Sequence, residues 1–112
     1  MRTLGTLLII AAVLFGANSA FAQPYKKIRF AKGRTSATVA GTLSAGGRVC
    51  YFANARRGQT LTATVSSRSG KVNIFESGET SYTLEVDYPG DQSICVDNLN
   101  RATSFSLTVS IL

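Results

Sequence analysis

From Gln23 onward the apolar positions of this chain recur every second residue rather than every third or fourth, the spacing of half-buried strands. The run at the C-terminus is the clearest, with Phe105, Leu107, Val109 and Ile111 alternating with Ser104, Ser106, Thr108 and Ser110. Leu61, Ala63 and Val65 alternate in the same way with Thr60, Thr62, Thr64 and Ser66, giving a strand with a Thr-rich solvent face. Between Arg48 and Ala53, Val49, Tyr51 and Ala53 share one face while Cys50 and Phe52 share the other. These last two runs flank the polar segment Asn54 to Gln59, whose Gly58 can take a positive φ, and together Arg48 to Val65 predicts a β-hairpin.

The remaining segments follow the same rule. Tyr25 to Phe30 predicts a first strand, closed by Gly33, and Ala37, Val39 and Leu43 a second, with Gly41 marking a bulge or a close backbone approach. Ser44 to Gly47 and Ser67 to Gly70 read as turns, with a short strand at Val72 to Phe75 and a further turn at Ser77-Gly78-Glu79. Tyr82, Leu84 and Val86 form another alternating set, ended by the turn Tyr88-Pro89-Gly90-Asp91. Ile94 and Val96 then flank Cys95, which points to the opposite face, and Asn98 to Ala102 reads as a loop. Eight short strands, turns every eight to twelve residues and no helical stretch predict an all-β fold. The expected form is an antiparallel, jelly-roll-like β-sandwich, with a small barrel as the alternative.

The first residues change the picture of compartment. One positive charge at Arg2, an apolar run from Leu7 to Phe15 and the small-x-small pattern Ala20-Phe21-Ala22 read as a secretory signal peptide over residues 1–22, leaving Gln23 to Leu112 as a single domain. A transmembrane segment is not expected, because the run meets Gly16, Asn18 and Ser19 well short of the about 20 apolar residues a span needs. Export to the periplasm or beyond allows disulfides, and two cysteines permit a single intramolecular pairing, Cys50 with Cys95. In a domain this small, closing such a loop contributes about 4 kcal/mol in the chain-entropy model.

Charge divides the chain in two. Between Gln23 and Lys71 there are ten Lys or Arg and no acid, whereas Val72 to Leu112 holds Arg101 against six acids. Lys26, Lys27, Arg29, Lys32, Arg34, Arg56 and Arg57 are therefore candidates for an anion-binding surface facing cell-envelope glycan, either peptidoglycan carboxylates or lipopolysaccharide. Solvated charges that keep an exported domain soluble are the plain alternative. Nucleic acid is not an expected partner, since export and the scarcity of stacking aromatics among these cations leave its footprint incomplete. Catalysis is not expected either: the chain has no His to serve as general base and no Gly-x-Ser-x-Gly elbow. Glu76 and Glu79 read as solvated charges beside a turn, and Asp87, Asp91 and Asp97 lack calcium-loop spacing, so neither metal nor cofactor is expected.

One pattern goes beyond physical class. Phe30-Ala31-Lys32-Gly33-Arg34-Thr35-Ser36, then Gly41, Tyr51 and Ala55-Arg56-Arg57-Gly58-Gln59, resembles the periplasmic inhibitors of goose-type lysozyme and, more broadly, bacterial pre-peptidase C-terminal domains. The resemblance implies a β-sandwich that inserts end loops into a lysozyme cleft and performs no chemistry of its own. In that family the inserted groups include an aromatic from the turn between the second and third strands, a serine before the later Gly and an arginine ahead of the last strand. Here Gly46 or Gly47 fills the first position and Pro89 the second, and Arg101 stands at the third. Asn98, Leu99 and Tyr88 are the further candidates for partner contact at the same end, with Tyr88 also readable as a core residue. The implied function is an exported lysozyme inhibitor; the alternative is a non-catalytic envelope-binding module.

Overall fold

The computed structural model describes residues 25–69 and 71–112, and the signal-peptide reading over 1–22 lies outside them. Eight strands form: β1 (Tyr25–Lys27), β2 (Ser36–Leu43), β3 (Arg48–Ala55), β4 (Thr60–Ser67), β5 (Val72–Ile74), β6 (Ser81–Glu85), β7 (Gly90–Asn98) and β8 (Thr103–Ile111). They make two four-stranded sheets, ordered β1-β3-β7-β5 and β2-β8-β4-β6, packed as a sandwich. Among the described residues there is no helix. All neighbouring pairs are antiparallel except β1, which runs parallel to β3 with Tyr25 opposite Cys50.

Odd-numbered strands lie in one sheet and even-numbered strands in the other, so each connection crosses the sandwich. This corrects the hairpin expected over Arg48 to Val65: β3 pairs with β1 and β7, whereas β4 pairs with β6 and β8. The turn explains why. The Gln59 N–H donates to the Arg56 carbonyl at 3.1 Å, and of the two central residues only Gly58 has a positive φ, 92°. Two-residue hairpins need a positive φ at the first central position, which Arg57 does not adopt; the unprimed turn splays the arms apart and delivers them to different sheets. Gly46, with φ 71° in the turn closed by Gly47 N–H to Ser44 O at 2.9 Å, does the same between β2 and β3.

The inner faces bury the alternating residues. Tyr51, Ala53, Ile94 and Val96 of one sheet meet Leu61, Ala63, Leu107 and Val109 of the other, all at most a few per cent exposed. The first strand is shorter than its pattern suggests and ends at Lys27, but Ile28 still turns into the core and Phe30 packs against it. Gly41 marks a close approach and not a bulge, since the β2–β8 register runs unbroken from Ser36–Ser110 to Leu43–Thr103. A Cβ at Gly41 would stand 3.1 Å from the Phe105 ring, its cross-strand partner.

The outer face of the first sheet carries a column of cross-strand pairs between β3 and β7. Arg48 faces Asp97, Cys50 faces Cys95, Phe52 faces Ser93 and Asn54 faces Asp91. Cys50 and Cys95 are bonded, and both are buried although they point away from the core. Above them the Glu76 carboxylate accepts the Cys95 N–H at 2.9 Å, so Glu76 is an integral ligand of this face and not the solvated charge its sequence suggested. Arg48 grips Asp97 through two bonds, Nε to Oδ1 at 2.5 Å and Nη2 to Oδ2 at 3.0 Å, while its guanidinium lies 4.2 Å from the centre of the Phe75 ring.

Replacing Cys50 and Cys95 together by Ser is expected to lower unfolding free energy by about 3–4 kcal/mol, read as a lower urea midpoint with a steeper slope, because the unfolded chain without its cross-link exposes more surface. A loss below about 1 kcal/mol would mean that the column holds its register without the bond.

Candidate functional site

Strand register separates the loops into two ends. One end gathers the β2–β3 turn (44–47), the start of β5 and the β7–β8 loop (99–102), as Leu43 pairs with Thr103 and Val72 with Asn98. The other gathers the β1–β2 connection (28–35), the β3–β4 turn (56–59) and the β6–β7 loop (86–89), tied by Gly58 N–H to Val86 O and Ile111 N–H to Thr35 O. They are called here the Asn98 end and the Gly58 end.

Asn98 is the organising residue of the first. Its side chain is 1% exposed, which corrects its place among the contact residues expected from sequence. The Nδ2 group donates to the carbonyls of Leu43 at 3.2 Å, Ser44 at 2.9 Å and Arg101 at 2.9 Å, while Oδ1 accepts the Asn100 N–H at 3.1 Å. Its own N–H reaches the Gly47 carbonyl at 2.9 Å, and the next residue, Leu99, donates its N–H to Lys71 at 3.0 Å. One buried amide thus fastens the β2–β3 turn to the β7–β8 loop, and a neighbouring bond ties in the approach to β5. An amide that offers both donors and acceptor suits this position, where a carboxylate would set like partial charges against the surrounding carbonyls.

The braced loop presents Leu99, 66% exposed, and Arg101, also exposed, to solvent. Beside them Gly46, Gly47, Arg48, Asp97 and Leu99 line a shallow depression. Hydrogen bonding to Asp97 raises the Arg48 pKa above its ordinary value against a smaller opposing desolvation effect, with the Asp97 and Glu76 charges adding to the rise, so this guanidinium is a fixed charge at the rim. Burial alone raises the Tyr51 phenol, and burial with the nearby Glu76 charge raises that of Tyr82. Both stay protonated at neutral pH.

Tyr88 is not with them. It is 81% exposed, against the core alternative, and belongs to the Gly58 end. Between it and Leu99 runs the whole of β7, Gly90 to Asn98. At about 3.3 Å per residue the two side chains start roughly 30 Å apart. Proline 89 lies at that end too, so of the three insertion positions implied by the family resemblance, only the Gly46-Gly47 turn and Arg101 are neighbours.

Three solved structures superpose on this sandwich. The periplasmic inhibitor of g-type lysozyme from Aeromonas hydrophila matches with a TM-score of 0.66 at 23% identity, over 81% of this chain and 100% of that one. The inhibitor of the same kind from Salmonella Typhimurium gives 0.62 at 20% identity, and a mutant of the one from Escherichia coli 0.62 at 18%, each with the same coverages. This chain has their fold. No protein-family model matches the sequence, and no curated protein matches it significantly. The inhibitor fold is therefore recognisable here by its backbone course, with four residues in five free to differ.

The seven basic candidates are divided by the structure. Arg34 and Arg56 line one cleft at the Gly58 end, Lys26 lines a different groove with Arg48, and Lys27, Arg29, Lys32 and Arg57 are exposed around them. Sequence reasoning missed the Asn98 brace, because an Asn between a strand and a loop carries no local sign of the distant carbonyls it meets; Leu43 lies 55 residues away.

Asn98→Ala would leave those carbonyls without their donor, at an expected cost of about 2 kcal/mol. Amide exchange at Leu99 and Asn100 should accelerate more than at the β8 core amides. Equal protection in wild type and variant would show that the loop holds itself.

Proposed function

We propose that the protein is an exported lysozyme inhibitor, released after cleavage behind Ala22, that binds its target through the Asn98 end and blocks the substrate cleft without chemistry of its own. A lysozyme of the g type is the first candidate target, and the periplasm or the extracellular space the place of action. The reading rests on the fold shared with three inhibitors of g-type lysozyme, together with the presentation of Leu99 and Arg101 from a loop held in place before any partner arrives. Preorganisation matters because ordering a free loop on binding would subtract from affinity. An arginine can fork onto carboxylates of the kind a glycosidase keeps in its cleft, and Leu99 supplies apolar contact beside it. The Gly46-Gly47 turn, lacking an aromatic, contributes shape and little contact area, which places more of the binding on Arg101.

Mature protein mixed with goose-type, invertebrate-type and chicken-type lysozymes should slow cell-wall lysis by at least the first of these at micromolar concentration. Arg101→Ala is expected to weaken that inhibition by about tenfold or more. Tyr88→Ala, altered at the far end, should leave it unchanged. No slowing of any of the three enzymes would remove the proposal.

A further inference from the structure

The Gly58 end holds a second concavity of about 320 Å³, separated from Leu99 and Arg101 by the length of the sandwich. Three separate segments build it: Phe30, Arg34 and Thr35 from the β1–β2 connection, Arg56 and Gln59 from the β3–β4 turn, and Asn54 and Ile111 from strand ends. Its walls are tied together. Arg34 closes a turn through its N–H to Ala31 O at 2.9 Å, Thr35 is held by the Ile111 N–H at 2.8 Å, and the Gln59 side chain accepts the Arg56 N–H at 2.7 Å. Beyond these, the Leu112 N–H donates to Thr60 O at 3.0 Å and fixes the C-terminal strand beside the turn.

Its lining is chemically one-sided. Two arginines, Arg34 and Arg56, line it and no Asp or Glu does; among the described residues the one ion pair of the protein, Arg48 with Asp97, lies at the other end. The nearest acid in register, Asp91, sits opposite Asn54 in the outer column, 3.4 Å from its amide nitrogen. The remaining polar lining is a hydroxyl and two amides, and Phe30, half-buried against the core, gives one flat apolar wall. The volume is at the lower end of the range of small-molecule pockets, about 300–1,000 Å³.

We propose that this cleft is a binding site for a small carboxylate-bearing saccharide unit, with Arg34 and Arg56 on the carboxylate, Phe30 against the sugar ring and Thr35, Asn54 and Gln59 on its hydroxyls. A guanidinium matches a planar carboxylate by two parallel N–H bonds, which a lysine cannot do, and two arginines line this cleft. A ring with several hydroxyls satisfies the hydroxyl and amide groups that a purely apolar acid would leave desolvated. The site is independent of the inhibitor reading. A protein using it could bind an acidic glycan of the cell envelope at one end while the other end remains open to a protein.

Chemical-shift titration of the mature protein with N-acetylmuramic acid and glucuronic acid tests it, with N-acetylglucosamine, glucose and inorganic phosphate as comparison ligands. The expected result is saturable shifts at Phe30, Thr35 and Gln59 amides in the low millimolar range for the acidic sugars, and at least about tenfold weaker binding of the neutral ones. Arg34→Ala and Arg56→Ala should each weaken acidic-sugar binding by about tenfold, with backbone shifts elsewhere unchanged. Both variants should inhibit lysozyme like wild type, and Arg101→Ala should bind the sugar like wild type, so either reading can fail alone. Equal affinity for acidic and neutral sugars, phosphate binding as well as the acidic sugars, or indifference to both arginine substitutions would each overturn the proposal.

Discussion

Among the described residues, no strand pairs with its neighbour in sequence. Each connection crosses from one sheet to the other, so every ladder depends on segments brought together over long stretches of chain; the β3–β7 ladder joins residues from Ala55–Gly90 out to Arg48–Asp97. Such a sheet gains nothing from local hairpins, and its pairing waits on loop closures whose entropy is lost before the contacts repay it. The Cys50–Cys95 bond falls on the central pair of the first sheet, between the strands that both have neighbours on either side. Its value is topological: it converts the most distant pairing of that sheet into a fixed one, around which Arg48–Asp97 and Asn54–Asp91 take their register.

How much of this was readable from the residues depended on whether a feature is local. The β8 alternation, the inward set of β3 and β4 and the cysteine pairing are local or forced by number, and all stand as expected. Sheet membership is not local. An arm that buries every second residue looks the same whether it folds back on its predecessor or crosses to face it, and only the φ of Arg57 and Gly58 distinguishes the two. The same holds for the site. Arg101 and Leu99 were legible as exposed loop residues, while the burial of Asn98, the exposure of Tyr88 at the opposite end and the engagement of Glu76 with the Cys95 amide all depend on partners remote in sequence.

The two ends of the sandwich are built differently from the same backbone. At the Gly58 end, the segments whose spacing resembles the inhibitor family form turns, hydrogen bonds and a walled cleft, so the most recognisable residues serve architecture first. At the Asn98 end, the turn position implied by the resemblance is filled by Gly46 or Gly47 while Arg101 keeps its place, and one buried amide holds the two loops together. A shared fold at about one residue in five is consistent with that division, since a sandwich needs its alternation and its turns far more than any one surface side chain.

The manner of bracing has a consequence for how such a tip can change. Every described bond that holds Leu99, Asn100 and Arg101 runs through their backbone groups to Asn98 or Lys71, and none through their own side chains. The tip is therefore an interchangeable cassette on a fixed mount: its three side chains can be rewritten without disturbing the support beneath. Substitutions there can accumulate one at a time, with a folded protein at each step.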